Sequence, residues 1–239
     1  MARIARVVAV GLPHHITQRG NGKRDIFVTD DLKQTYLRLL HEQAANYRLR
    51  VLAYCLMTNH LHLVVIPQAE DSMASALRHA HGRFAQYWNT ARGGVGHMWQ
   101  NRYYSCPMEA CRVWPVMRYV ELNPLRGGMV TEAVRYPWSS AAAHATGLDE
   151  SGVLDLDWWH KEWAEGDWLA ALRADESASA DDIRRATYTG RPLGGADFVA
   201  NLEWKLGRAL AAKPGGRPKK VVELQPQRLH AASGGTQGG

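Results

Sequence analysis

Residues Thr58-Asn59-His60-Leu61-His62-Leu63-Val64-Val65-Ile66 alternate two histidines with apolar side chains in a run rich in β-branched residues. Such a run is a strand, whose side chains leave alternate faces, so His60 and His62 project from one side and Leu61 and Leu63 from the other. Any fold must therefore bury one face of this strand while holding two imidazoles side by side on the opposite face. Two readings stand at this point. The pair is a pincer for a divalent cation, with much of the entropic cost of gathering the ligands already met by the ordered backbone. Alternatively, the rings are ordinary hydrogen-bonded histidines on a half-buried face.

The chain contains its own control. His79-Ala80-His81 has the same spacing, but Ala76, Leu77, Ala80, Phe84, Tyr87 and Trp88 recur around it at helical intervals. Residues two apart on a helix point to nearly opposite sides, so these two histidines cannot share an ion. They are expected to be solvated.

The 239 residues allow one sizeable domain with an appendage, or two small ones. The N-terminal stretch lacks a full signal-peptide core, and no segment has the apolar length to span a bilayer, so a cytoplasmic, nucleoid-associated protein is expected. Cys55, Cys106 and Cys111 are odd in number and lack C-x-x-C spacing. They indicate neither a disulfide framework nor a zinc knuckle, and are expected to be small buried apolar residues.

The net charge of +6 is unevenly spread. Lys and Arg against Asp and Glu number 17 to 9 over residues 1–145, 7 to 13 over 146–212, and 5 to 1 over 213–239. These stretches are expected to be a main domain, an acidic Trp-rich helical appendage and a basic disordered tail. A basic body and tail point to a polyanion, most simply nucleic acid, because each neutralised phosphate releases counterions. The acidic stretch should face away from it. Within the tail, Lys213-Pro-Gly-Gly-Arg-Pro-Lys-Lys has a Gly-Arg-Pro core resembling an AT-hook. Arg217, Lys219 and Lys220 are thus candidate DNA contacts, acting chiefly as an electrostatic tether.

The element pattern predicts a first strand from Val7 to the turn at Gly20-Asn21-Gly22, and a helix capped by Asp30 or Asp31 and running to about Tyr47. A second strand follows from Leu49 to Met57, a turn at Thr58-Asn59, and the histidine strand ending at Pro67. A helix from Ser72 to Asn89, a strand within Trp99 to Cys106 and a helix stopped by Pro124 near Asn123 complete the series. This order is that of a ferredoxin-like, RRM-like α+β fold: an antiparallel sheet with helices on one face and the other face free for a site. Trp158, Trp159, Trp163 and Trp168 are expected to pack the appendage rather than stack on bases.

Tyr119 and Asn123 are four residues apart and so share a helix face. Asn can offer a neutral oxygen to a hard cation while the Tyr hydroxyl reaches the same centre. Two imidazoles with one amide oxygen suit Mg²⁺ or Mn²⁺ with open water positions better than a closed structural zinc site. Without the histidines, Tyr119 reads as a packing residue and Asn123 as a cap ahead of Pro124. Pro115, four residues before Tyr119, either kinks this helix or marks its start.

His15-Ile-Thr-Gln-Arg-Gly-Asn, Met57-Thr-Asn-His-Leu-His-Leu-Val-Val, Arg118-Tyr-Val-Glu-Leu-Asn-Pro-Leu-Arg-Gly-Gly-Met-Val and Tyr136-Pro-Trp-Ser-Ser occur in that order over roughly residues 10 to 142. Together they resemble the single-tyrosine HUH transposases, and within them the REP-associated tyrosine transposase branch. The resemblance implies the HUH nuclease fold, His60 and His62 as metal ligands, Tyr119 as nucleophile, and Asn123 at the position of a third ligand. It also implies cleavage and joining of single-stranded DNA beside a palindromic hairpin, through a 5′-phosphotyrosine intermediate. Arg19, Arg102 and Arg126 flank this site in sequence and either bind phosphates or serve as surface charge.

Two rivals stand beside that reading. One is a DNA-binding regulator that keeps the fold without the chemistry. The other is a metal hydrolase with His15 or His97 as a third histidine and an activated water. Tyr103 and Tyr104 are rival nucleophiles. Whether one chain or two build the site, in a monomer or a homodimer, is not fixed by the sequence.

Overall fold

The structure is a computed structural model that describes residues 4–163, 166–174 and 180–211. Its centre is a four-stranded sheet of β1 (His14–Arg19), β2 (Leu49–Leu56), β3 (His60–Pro67) and β4 (Tyr104–Pro107), in the order β2-β3-β1-β4. Every neighbouring pair is antiparallel. Helices α1 (Asp30–Asn46) and α2 (Ser72–Ala91) pair with each other and cover one face. There Ile16, Tyr54, Leu56, Leu61, Leu63 and Val65 meet Tyr36, Leu40, Leu77 and Phe84 in one core. The α+β sheet expected from the element order is thus present.

The opposite face is not left free. Helix α3 (Val113–Glu121) lies over β2 and β3. It seals a second core in which Val64 and Ile66 meet Val116, Met117 and Val120. The outward residues after His62 are apolar, so this end of the face has to be covered, and only its histidine end remains as a cleft. A one-turn helix, α4 (Asn123–Arg126), follows after Leu122. Then come α5 (Ala141–Thr146), α6 (Leu156–Glu162), α7 (Trp168–Arg173), α8 (Ala180–Thr189) and α9 (Ala196–Leu206). Trp159 and Trp168 are buried in the second core, so these tryptophans pack, as expected. Helix α8 lies over β4 and β1 on the same face as α3, where Ile183 joins the second core.

Several local expectations are corrected. The cap of α1 is Thr29, whose hydroxyl accepts from the Leu32 amide at 3.3 Å. Asp30 and Asp31 instead occupy the first turn, where carboxylates complement the helix dipole. The first strand begins at His14, whereas Val7 and Ala9 are buried against Leu202 and Leu210. The aromatic stretch pairs only from Tyr104, while Trp99 makes one isolated bridge to Gly20. Gly20 needs its bare Cα because a Cβ there would overlap the Arg24 carbonyl oxygen.

Pro115 stands in the first turn of α3, where a missing N–H leaves no helical bond unmade. Pro124 starts the α4 turn rather than ending the helical path. His79 stacks on Tyr47, but His81 is buried, with Nε2 3.0 Å from the Tyr36 hydroxyl. The apolar face of α2 is wider than the sequence reading allowed and takes in one of the two rings. Cys55 and Cys106 are buried and Cys111 is exposed. Among the described residues no helix is long and apolar enough to cross a membrane.

The Tyr136-Pro-Trp-Ser-Ser segment protects the edge strand β2. The Leu56 amide donates to the Trp138 carbonyl at 2.9 Å, the Ser140 amide to the Tyr54 carbonyl at 3.0 Å, and the Tyr136 hydroxyl to the Leu56 carbonyl at 2.7 Å. The same segment anchors α3. Glu121, fully buried, accepts from the Ser140 hydroxyl at 2.5 Å and from Trp168 Nε1 at 2.7 Å, and its other contact is His144 Nδ1 at 2.5 Å.

Candidate active site

At the histidine end of the sheet a cleft of about 280 Å³ is lined by side chains from β1, β3, α3, α4 and α8. Because β1 and β3 pair antiparallel with Thr17 opposite His62, the outward residues of both strands stand next to one another on this face. His15 and His62 stack, with ring centroids 5.2 Å apart and planes 5° from parallel. His15 Nε2 lies 3.0 Å from His62 Nδ1. His60 sits 5.0 Å from His62, nearly perpendicular to it.

Tyr119 meets this group within the same chain. Its ring stands edge-on at 5.7 Å from His62 and 5.8 Å from His15, both at 90°. Asn123 is one turn on: its Nδ2 donates to the Tyr119 carbonyl at 2.9 Å and the Val120 carbonyl at 3.1 Å. The amide nitrogen is therefore committed to closing the end of α3, and the carboxamide oxygen is the atom left as a ligand.

The cleft is cationic. Arg19, Arg126 and Arg184 line it, and no Asp or Glu among the described residues does. The Arg126 guanidinium lies 4.5 Å from the Tyr119 ring centre and also donates to the Tyr119 carbonyl. Arg184 sits 5.8 Å from the same ring centre, and a hydrogen bond with the Tyr119 side chain raises its pKa. The three imidazoles are neutral at pH 7. Burial pulls His15 down to about 3, and burial with the charge of Arg19 pulls His60 down to about 4. His62 is held well below its ordinary value by burial and then by His60 and His15. Neutral imidazole is the form that can bind a metal.

Of the sequence candidates, His60, His62, Tyr119, Asn123, Arg19 and Arg126 come together here. Arg102 does not: it is exposed, in the loop before β4. Arg217, Lys219 and Lys220 lie outside the described residues. His15 is present as a partner of His62 Nδ1 rather than as a separate third arm, and His97 is not in the cleft. Tyr103 is buried, and Tyr104 packs edge-on to Tyr188 at 5.1 Å, so neither rival lines the cleft.

Three residues were missed: Arg184, Thr187 and Tyr188, all on α8. The acidic stretch therefore does not wholly face away from the site. The signal that could have found them is the buried stripe Ile183, Ala186 and Thr187, with Arg184 and Tyr188 one turn apart beside it.

Among the described residues no three His, Cys, Asp or Glu side chains converge as a metal cage. Any cation here would rest on two imidazoles, an amide oxygen and oxygens from water or substrate. The residues present fit that role. His60 Nδ1 lies 2.7 Å from Asn59 Oδ1 and His62 Nδ1 is engaged by His15, so each ring has one nitrogen oriented by a neighbour and one to spare.

Residues 9–123 match the family model described as IS200-like transposase. No curated protein matches the chain. Among solved structures the chain is similar to the REP-associated tyrosine transposase bound to a REP hairpin, at 19% identity and a TM-score of 0.53, covering 75% of this chain and 97% of that one. A Deinococcus radiodurans R1 protein assigned as a transposase candidate is 16% identical with a TM-score of 0.35, covering 50% and 95%. The first likeness shows the fold, and the second is too loose to add to it. The residues that match the IS200-like transposase family model carry His60, His62, Tyr119 and Asn123.

Proposed function

We propose that this transposase cleaves and rejoins single-stranded DNA beside a palindromic hairpin, with Tyr119 as its nucleophile. The observation that carries the proposal is the edge-on approach of Tyr119 to His62 inside a cleft lined by three arginines. A cleft with that charge and no carboxylate is built for an anion, and a phosphodiester is the anion a transposase must handle.

The Tyr119 oxygen attacks phosphorus, the bond from phosphorus to the 3′ oxygen breaks, and that oxygen leaves as a 3′-hydroxyl after taking up a proton. The 5′-phosphotyrosine keeps the ester energy, so another strand's 3′-hydroxyl can reverse the step without a nucleotide cofactor. A free tyrosine titrates near ~10, so the nucleophile needs help to lose its proton. Arg184 and Arg126 stand beside the ring, and their guanidinium groups stabilise the negative charge that builds on the phosphate while the phenol's proton passes to solvent. Arg19, at the end of β1, holds the adjoining phosphate.

His60 Nε2, His62 Nε2 and the Asn123 oxygen would hold Mg²⁺ or Mn²⁺, which when bound neutralises and orients the scissile phosphate. With neutral ligands and three nearby arginines, the protein alone is a weak cation site, and the DNA phosphate supplies the missing negative charge.

The test is a denaturing gel of the protein with a labelled single strand carrying a hairpin, in Mg²⁺ or Mn²⁺. The proposal expects a covalent protein–DNA adduct that is lost in the His60→Ala/His62→Ala double variant. Tight hairpin binding with no adduct under any divalent cation would favour the regulator instead, and free 5′-phosphate ends would favour the hydrolase.

A further inference from the structure

Thr187 belongs to α8, beyond the segment that matches the transposase family, yet it is nearly fully buried against the back of the histidine cluster. Its hydroxyl oxygen lies 2.7 Å from His15 Nδ1, and His15 Nε2 lies 3.0 Å from His62 Nδ1. The three side chains thus form one buried line ending at a proposed cation ligand.

The direction of that line is decided at its far end. A threonine hydroxyl has one proton, and that of Thr187 is donated to the Ile183 carbonyl at 2.7 Å, one turn back along α8. Its lone pairs then face His15 Nδ1 at 2.7 Å and Cys106 Sγ at 3.4 Å, both of which can donate. His15 must carry its proton on Nδ1, and its Nε2 is an acceptor. His62 must donate from Nδ1, and its own Nε2 bears a lone pair. Were the Thr187 proton turned toward His15, every link would reverse and His62 would present an N–H where a cation needs an electron pair. All three side chains are buried, so each link of the line is made within the protein's low-dielectric interior, where an unpaired polar atom is costly.

We infer that Thr187 is a positioning residue which, through His15, sets the tautomer of His62 and so prepares its Nε2 to bind a metal. His60 reaches the same state by a separate route. Asn59 donates through Nδ2 to the Lys23 carbonyl at 3.3 Å, which turns its oxygen toward His60 Nδ1 at 2.7 Å. The inference rests on the proposed role of His62 as a cation ligand, and it makes α8 part of the site rather than an addition to it.

The experiment is nitrogen-15 NMR of the full, metal-free chain with labelled histidine at neutral pH, with the His15 and His62 signals identified through single variants. The expected result is Nδ1–H with bare Nε2 in both rings; Nε2–H in His62 would overturn the inference. Thr187→Val keeps the shape and removes the acceptor. It should mix the His62 tautomers and weaken Mn²⁺ binding, measured with a non-cleavable strand bound, by roughly 10- to 100-fold. Thr187→Ser should restore both readouts. Unchanged tautomers and unchanged Mn²⁺ affinity in a folded Thr187→Val protein would also overturn it. Should the wild type show the expected tautomers but bind no Mn²⁺ with DNA present, the relay would stand and the ligand role of His62 would fall.

Discussion

The Arg184 guanidinium faces Tyr119 across the cleft, 5.8 Å from the centre of its ring, although only Tyr119 lies within the segment that matches the transposase family. A guanidinium cannot take the phenol's proton, but it can stabilise the negative charge that builds on the phosphate. Arg184→Gln is therefore expected to slow adduct formation by roughly 10²-fold, the usual scale for losing one preorganised donor. Single-turnover kinetics at saturating DNA would separate this from weaker binding; an unchanged rate would remove Arg184 from the chemistry.

Metal and DNA should bind cooperatively. The cleft gathers three arginines, two proposed imidazole ligands and no carboxylate, so a divalent cation meets net positive charge until a phosphate arrives. Titrating Mn²⁺ into Tyr119→Phe protein, with and without a bound strand, should give at least on the order of 10-fold tighter binding in the complex. Linkage requires the same factor in DNA affinity when Mn²⁺ is present. Equal Mn²⁺ affinities in the two titrations would contradict this electrostatic reading.

Acid should destabilise the fold steeply. His14 and His60 are lowered to about 4, His15 and His81 to about 3, and His62 well below 6.5, in each case chiefly by burial. A group with a depressed folded pKa contributes fully above its unfolded value near 6.5, and that contribution is lost as pH falls toward the folded value. The unfolded chain binds the extra protons in this window. Each such group subtracts about 1.4 kcal/mol per pH unit between roughly 6 and 4. Urea unfolding at pH 7, 6 and 5 should show it, and His81→Gln should make the slope shallower by about one proton.

Glu121 holds the helix that carries Tyr119. Its carboxylate is fully enclosed by Ser140, His144 and Trp168, so Glu121→Ala leaves buried donors unmet. The expected loss is on the order of 3–5 kcal/mol, seen as a fall in Tm of roughly 10 °C. A Tm within a degree or two of wild type would show that the node does not anchor α3.

What could be read from the chain follows from how local each signal is. The period-two histidine pair announces its own strand and face, and Tyr119 with Asn123 is a one-turn spacing that survives even though Leu122 separates α3 from α4. His81 was misread because helical spacing says which residues share a face but not how wide the buried face is. Arg184, Thr187 and Tyr188 were out of reach for a different reason. Their helix is unremarkable by itself, and only the packing of α8 on β1 and β4 brings it to the histidines. The acidic composition of 146–212 even pointed the other way, because net charge averages over a segment whereas a cleft is lined by a few chosen side chains.

The measurement that tests the central claim most directly is the identity of the residue joined to DNA. The adduct formed with a hairpin-bearing strand can be trapped, digested with protease and nuclease, and sequenced by mass spectrometry. The account predicts a nucleotide remnant on Tyr119 alone, and no adduct from Tyr119→Phe. A remnant on Tyr188, which lines the same cleft, or on Tyr104 beside it, would contradict the account, as would an adduct that persists in Tyr119→Phe.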